Sequence, residues 1–206
     1  YNHFGPTDLD LWRFDGWHES EYGGIYFYND ERAITPWGAT RPDYGRPEVR
    51  QFIRDNVLMW LDEFHVDGLR FDSTLYIRTI DGNEKNQLAE GFRMMADVNA
   101  EVLVNHEHMI LIAEDLRVNE SITASVDQGG AGFHAQWDAN FVHPIRSMIE
   151  AIADESRSMD LLKDLVTFKY NDDAFKRIIY SESHDEVANG KARAPQEVDP
   201  QDPTSW

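Results

Sequence analysis

NQLAEGFRMMADVNAEVLVNHEHMILIAED (Asn86 to Asp115) joins two kinds of periodicity in one stretch. Up to His106 the apolar residues recur at three- and four-residue spacing, which predicts a helix. Met109 to Asp115 is then a short apolar run ending in acids, which predicts a buried strand. A helix running directly into such a strand is the unit from which parallel α/β sheets are built.

The unit repeats on both sides. Upstream, Pro47 suits a first helical position, and Val49, Phe52, Ile53, Val57, Trp60, Leu61 and Phe64 form one apolar stripe. VDGLRFD (Val66 to Asp72) follows as a strand. Downstream, ESITASV reads as a brief helix and GFHAQWD (Gly132 to Asp138) as a strand. FVHPIRSMIEAIADE reads as a helix despite Pro144, a second helix covers about Met159 to Phe168, and RIIYSES (Arg177 to Ser183) is a last strand. Residues 4–46 are rich in Gly, Pro, Asp and aromatics and read as one long loop, a length that is usually functional. Most of its aromatics (Trp12, Trp17, Tyr26, Tyr28, Trp37) are expected to pack, the others to offer stacking surfaces.

The chain has 206 residues, 38 acids against 19 bases, a net charge of −19 and no cysteine. Such a field repels phosphate backbones, so nucleic acid is not an expected partner. Without cysteine there are no disulfides, thiol nucleophiles or zinc–thiolate sites. No run approaches the roughly 18 consecutive apolar residues of a membrane span, and no membrane partner is expected. No signal peptide is visible, and the cytoplasm is the expected location.

Asp72, Glu114 and Asp185 each read as closing a strand. Glu114 lies 42 positions beyond Asp72, and Asp185 a further 71 beyond Glu114. An eight-unit (β/α) barrel takes about 250 residues, roughly 30 per unit, so these gaps fit one unit and two. Parallel strands present their C-terminal ends on one face, where three acids would converge. Alone, each acid would read as a helix cap or a loop salt bridge. Together they suit glycoside hydrolysis, in which an ionised carboxylate attacks and a protonated carboxyl about 5 to 5.5 Å away donates a proton. Arg70 stands two residues before Asp72, so on a strand the two side chains share a face, and the cation favours the ionised carboxylate. Glu114 follows the apolar ILIA near two other acids. Desolvation and like charge would both raise its pKa, as a general acid requires.

These segments resemble the α-amylase superfamily of glycoside hydrolases, family thirteen. YNH resembles the tail of its first motif, GLRFDST its second, IAED its third and SESHDE its fourth, in the family's order and spacing. TPWG and GFHAQWDANF resemble stretches of members with branching or trehalose-releasing activity. The resemblance implies an incomplete (β/α)8 TIM-type barrel over residues 1–206, from the end of strand 3 to just past strand 7. It implies Asp72 as nucleophile, Glu114 as acid/base and Asp185 as the residue gripping sugar hydroxyls. Arg70, His3 and His184 would bind the sugar, and Asn2 would support the site. The substrate would be an α-glucan or maltooligosaccharide, with no cofactor and no metal.

The first motif lacks its preceding apolar strand and aspartate. Many starch hydrolases of the family carry asparagine before the fourth-motif histidine, where this chain has Ser183; SHDE is closer to the glucan branching enzymes. Branching by transglycosylation is therefore the expected activity. The rivals are amylase-type or trehalose-releasing hydrolysis, and an inactive fragment or glucan-binding relative. NHEHM (Asn105 to Met109) lacks the spacing of a helical zinc pair, and both its histidines are expected to be solvated. DGNE is too short for a calcium loop, and DQGGAG lacks the lysine of a phosphate loop.

Overall fold

A computed structural model describes residues 17–18 and 22–201. Four strands form one parallel sheet: β1 (Gly68–Phe71), β2 (Ile110–Ala113), β3 (Ala135–Trp137) and β4 (Arg177–Ile178). Their spatial order is their chain order, β1-β2-β3-β4. In a doubly wound sheet the order reverses at a switch point. An order that never reverses makes every crossover step the same way, as successive strands of a barrel do.

The helices follow the apolar periodicity, with corrections. Helix α1 (Pro47–Asp62) begins at its proline and buries Val49, Ile53, Val57 and Leu61, one row at four-residue spacing. The expected stripe was wider. Phe52, Trp60 and Phe64 are exposed and pair with aromatics on the flank, Phe52 with Tyr26 and Trp60 with Phe64. A short α2 (Thr74–Arg78) follows β1, and α3 (Ala89–Asn105) returns to β2. Helix α3 starts later than expected because Asn86 and Gln87 are used elsewhere. Gln87 bridges to Thr79, and the Asn86 carbonyl accepts the Ile80 N–H at 2.9 Å.

Between β2 and β3 the expected brief helix is two 3-10 turns, Glu120–Ile122 and Val126–Gln128. Helix α4 (Ala139–Glu150) runs through Pro144 but stops short of Glu155. Arg157 reaches back to the carbonyls of Met148 at 3.1 Å and Ala151 at 2.5 Å, satisfying groups that another helical turn would have used. Helix α5 (Met159–Thr167) lies where expected. The β4 ladder covers only the first two residues of the predicted strand, and α6 (His184–Ala188) and α7 (Ala194–Val198) follow it.

The main core lies between the sheet and the α1–α3 pair, with Val49, Ile53 and Val57 facing Met94, Met95, Val98 and Val102 over Phe71, Leu111 and Ala113. A smaller cluster, Phe141, Met148 and Leu165, joins α4 to α5. The segment before α1 packs too. Tyr28 and Tyr44 are fully buried and meet edge to face, and the Arg41 guanidinium ties Ile34 and Ile80 together through their carbonyls. Trp17 and Trp37 stay exposed, and Trp12 lies outside the described residues. His106 is half-buried with Nε2 3.3 Å from Asp62, so of the NHEHM histidines only His108 is solvated as expected. Among the described residues, no helix is long and apolar enough to cross a membrane.

Gly91 sets how closely α3 approaches α2. A Cβ there would lie 1.8 Å from the Ile77 carbonyl oxygen, a backbone atom that cannot swing aside. Gly91→Ala gains up to about 1 kcal/mol of helix propensity, but overpacking typically costs about 1–3 kcal/mol. The expected outcome is net destabilisation, measured as a lower denaturation midpoint; a higher midpoint would show that the two helices separate freely.

Candidate active site

The β1–β2 register builds the site. Phe71 pairs with Ala113, so the next residues, Asp72 and Glu114, leave the sheet side by side. Arg70, two residues before Asp72, turns its side chain the same way, and its Nη1 lies 2.6 Å from Asp72 Oδ1. Its Nη2 lies 2.8 Å from Glu114 Oε2 and 3.9 Å from Asp185 Oδ2. One guanidinium therefore faces all three acids.

Ser73 makes the turn out of β1. Its φ of 40° and ψ of 55° are left-handed, an uncommon conformation for a residue with a side chain. That turn aims the Ser73 N–H at Glu114 Oε2, 2.7 Å away, while Thr74 N–H donates to the Glu114 carbonyl at 2.9 Å. Glu114 is 8% exposed. Burial pushes its pKa up to about 7 against the lowering effects of the Ser73 N–H and Arg70, with Asp72 and Asp185 pushing it further up. The neighbouring acid faces elsewhere: Asp115 is buried against Arg78, with Oδ2 2.8 Å from Nε.

Asp185 arrives differently from expectation. It does not close a strand; it lies in the first turn of α6. Ser183 is the N-cap, its Oγ accepting from Asp185 N–H at 3.1 Å, and the Glu186 carboxylate reaches back to the Ser183 N–H at 2.6 Å. This is a capping box, so two of the four letters of SHDE serve the helix start. His184 is largely exposed, with Nε2 3.5 Å from Asp185 Oδ1. Asn2 and His3 lie outside the described residues.

An open cleft of about 340 Å³ lies above these groups, lined among others by Trp37, Asp72, Ser73, Glu114, Tyr180 and Asp185. Sequence reasoning did not single out Ser73, Tyr180 or Trp137 as site residues. The Arg70 guanidinium stacks over the Trp137 ring at 4.2 Å, and Trp137 contacts Tyr180 at 5.0 Å between centroids. Tyr180 holds its proton above the usual tyrosine range, through burial and the nearby Glu186, Glu114 and Asp185. Strand parity was the available signal for Trp137, at the end of GFHAQWD; nothing local announces the Ser73 turn. Among the described residues, no group of three or more His, Asp or Glu side chains is arranged to hold a metal ion.

A buried carboxyl that keeps its proton to about 7, beside a carboxylate held by a cation, can perform paired acid and nucleophile chemistry. No family model matches the chain. It is 31% identical over 203 residues to the 1,4-alpha-glucan branching enzyme GlgB of Oceanobacillus iheyensis, covering 92% of this chain and 30% of that protein. It is 32% identical over 192 residues to the GlgB of Geobacillus stearothermophilus, covering 92% and 29%. The Bacillus subtilis GlgB is 30% identical over 194 residues, again 92% and 29%. The chain is thus similar to branching enzymes over most of its length. Its fold matches that of the crystal structure described as "Putative alpha Amylase from Salmonella typhimurium", with a TM-score of 0.55, 22% identity, and 90% of this chain covering 33% of that one. The four parallel strands, in unreversed order, match part of that fold, and the chain spans about 30% of the length of the branching enzymes it matches.

The capping box gives a test of how Asp185 is held. Ser183→Ala removes the side-chain cap and should cost about 1 kcal/mol of stability, read from chemical denaturation, with the deficit local to α6 by hydrogen exchange. Unchanged protection at Asp185 and Glu186 would show that the cap does not hold this turn.

Proposed function

We propose that the full-length protein carrying this chain is a retaining α-glucan enzyme that cleaves α-1,4-glucosidic bonds and transfers the released segment, a 1,4-α-glucan branching activity. The whole of residues 1–206 is read as part of its catalytic barrel, with 4–46 as the long loop after strand 3. The observation that carries the chemistry is the single Arg70 guanidinium shared by Asp72 and Glu114 while Glu114 keeps its proton to about 7. The branching enzymes matched over 92% of the chain support the choice of reaction. No cofactor enters this chemistry, and the cysteine-free chain is compatible with the reducing cytoplasm, where we place the protein.

Glu114 donates its proton to the glycosidic oxygen as the bond to the anomeric carbon breaks. The Asp72 carboxylate forms a bond to that carbon, giving a covalent glycosyl-enzyme, and the leaving glucan departs as an alcohol. Glu114, now ionised, takes the proton of an acceptor hydroxyl, whose oxygen attacks the anomeric carbon and frees Asp72. Asp185 grips sugar hydroxyls, and Asn2, His3, Arg70 and His184 complete the binding ring. With a glucan 6-hydroxyl as acceptor the product is a branch; with water it is a hydrolysed chain.

Two measurements test this reading. The acid form of Glu114 is needed for the first step, so turnover should fall as pH rises through about 7, and Glu114→Gln should abolish turnover without unfolding the protein. A rate that holds steady well above that pH would remove Glu114 from the role of acid. Amylose incubated with the full-length protein should gain α-1,6 linkages in its proton NMR spectrum; reducing ends alone would assign hydrolysis instead.

A further inference from the structure

Trp137 lies within contact of Arg70 but is not among the residues lining the cleft. It ends β3, two strands from the β1 that carries Arg70. Its ring underlies the Arg70 guanidinium at 4.2 Å, lies 5.0 Å from Tyr180, and meets His184 edge to face at 6.1 Å. Tyr180 and His184 both precede Asp185 on the segment after β4. Arg70 reaches Asp185 only at 3.9 Å, too far for a hydrogen bond. The aromatic contacts therefore provide a second link between Arg70 and the Asp185 segment.

We infer that Trp137 is a positioning residue of this site: its indole face holds the Arg70 guanidinium in the plane that serves Asp72, Glu114 and Asp185 together. The inference rests on the catalytic reading above. A guanidinium has a planar fork and stacks on aromatic faces, so a ring beneath it restricts both its tilt and its rotation. Without that face the fork can turn about the Arg70 side chain. Bonds to Asp72 and Glu114 then lengthen together, because both acids depend on the same group. The other groups acting on Glu114 stay in place: the Ser73 N–H, Asp72 and Asp185. Arg70 works to lower the Glu114 pKa, so a displaced guanidinium lets the acid keep its proton to higher pH.

The test compares Trp137→Leu, Trp137→Phe and Glu114→Gln in the full-length protein, recording kcat, KM and pH profile on amylose. Trp137→Leu should lower kcat about tenfold or more, leave KM within about twofold, and move the basic limb of the profile upward. Trp137→Phe keeps an aromatic face and should restore most of both changes. A limb that does not move, or equal behaviour of the two Trp137 variants, overturns the inference even where Glu114→Gln is inactive. If Glu114→Gln stays active, the catalytic reading falls and this inference with it. Should Trp137→Leu fail to fold, a double-mutant cycle of Trp137→Phe with Arg70→Lys decides: non-additive shifts of the limb support the inference, and additive ones overturn it.

Discussion

Three carboxylates around one cleft repel one another, and in a chain of net charge −19 the surroundings do little to relieve them. Arg70 is the group that makes the cluster possible. It contacts Asp72 and Glu114 directly and faces Asp185 at longer range. Sharing one cation does not make the acids alike. Glu114 has a side chain 10% exposed against 28% for Asp72, so desolvation weighs far more heavily on Glu114 and raises its pKa despite the cation. Burial, with the negative charges of Asp72 and Asp185 added to it, thus sets Glu114 apart from its neighbour on the same cation.

That burial comes from strand register. Phe71 opposite Ala113 sets the next residue of each strand on the same level, and the Ser73 turn closes over Glu114 from the β1 side. A slip of one residue would turn Arg70 away from the cleft and bring Leu69 to it, because side chains alternate along a strand. The large side chains of the α1–α3 core resist such a slip, and Gly68 adds to the resistance. A Cβ on Gly68 would lie 2.3 Å from the Ile110 carbonyl oxygen, so the close approach of β1 to β2 requires glycine at this point in the ladder. Core packing and the geometry of the acid cluster are here one constraint.

Much of this was legible in the letters. The period of α1 and α3, the parity of Arg70 with Asp72, and the burial of a glutamate after ILIA are local consequences of sequence. What was not legible depends on distant residues. Helix α4 ends where Arg157 folds back on its carbonyls. Trp137 matters because a strand two places away supplies the cation above it. Ser73 adopts a left-handed conformation that its residue type does not request. Asp185 is a different kind of miss: the S-x-x-E pattern of a helix start was present, but the apolar run before it suggested a strand that continues. The ladder stops at Ile178, and the chain uses the following residues to turn into α6.

The capping box also changes what Ser183 signifies. A serine in place of the asparagine common in starch hydrolases pointed to branching. Serine and asparagine are nearly equal as N-caps, and Ser183 is occupied as one, accepting from Asp185 N–H while Glu186 holds its backbone. Either residue would start the helix and deliver His184 and Asp185 to the same place, so folding alone explains the serine. Glu186 is likewise engaged: burial works to raise its pKa, and the bonds from Ser183 outweigh that and hold it ionised. The cleft wall carries aromatic surface, with Trp37 and Tyr180 among its lining beside Asp72 and Glu114. Under the proposed branching reading, such walls hold an acceptor glucan by stacking and limit the room for water, favouring transfer over hydrolysis.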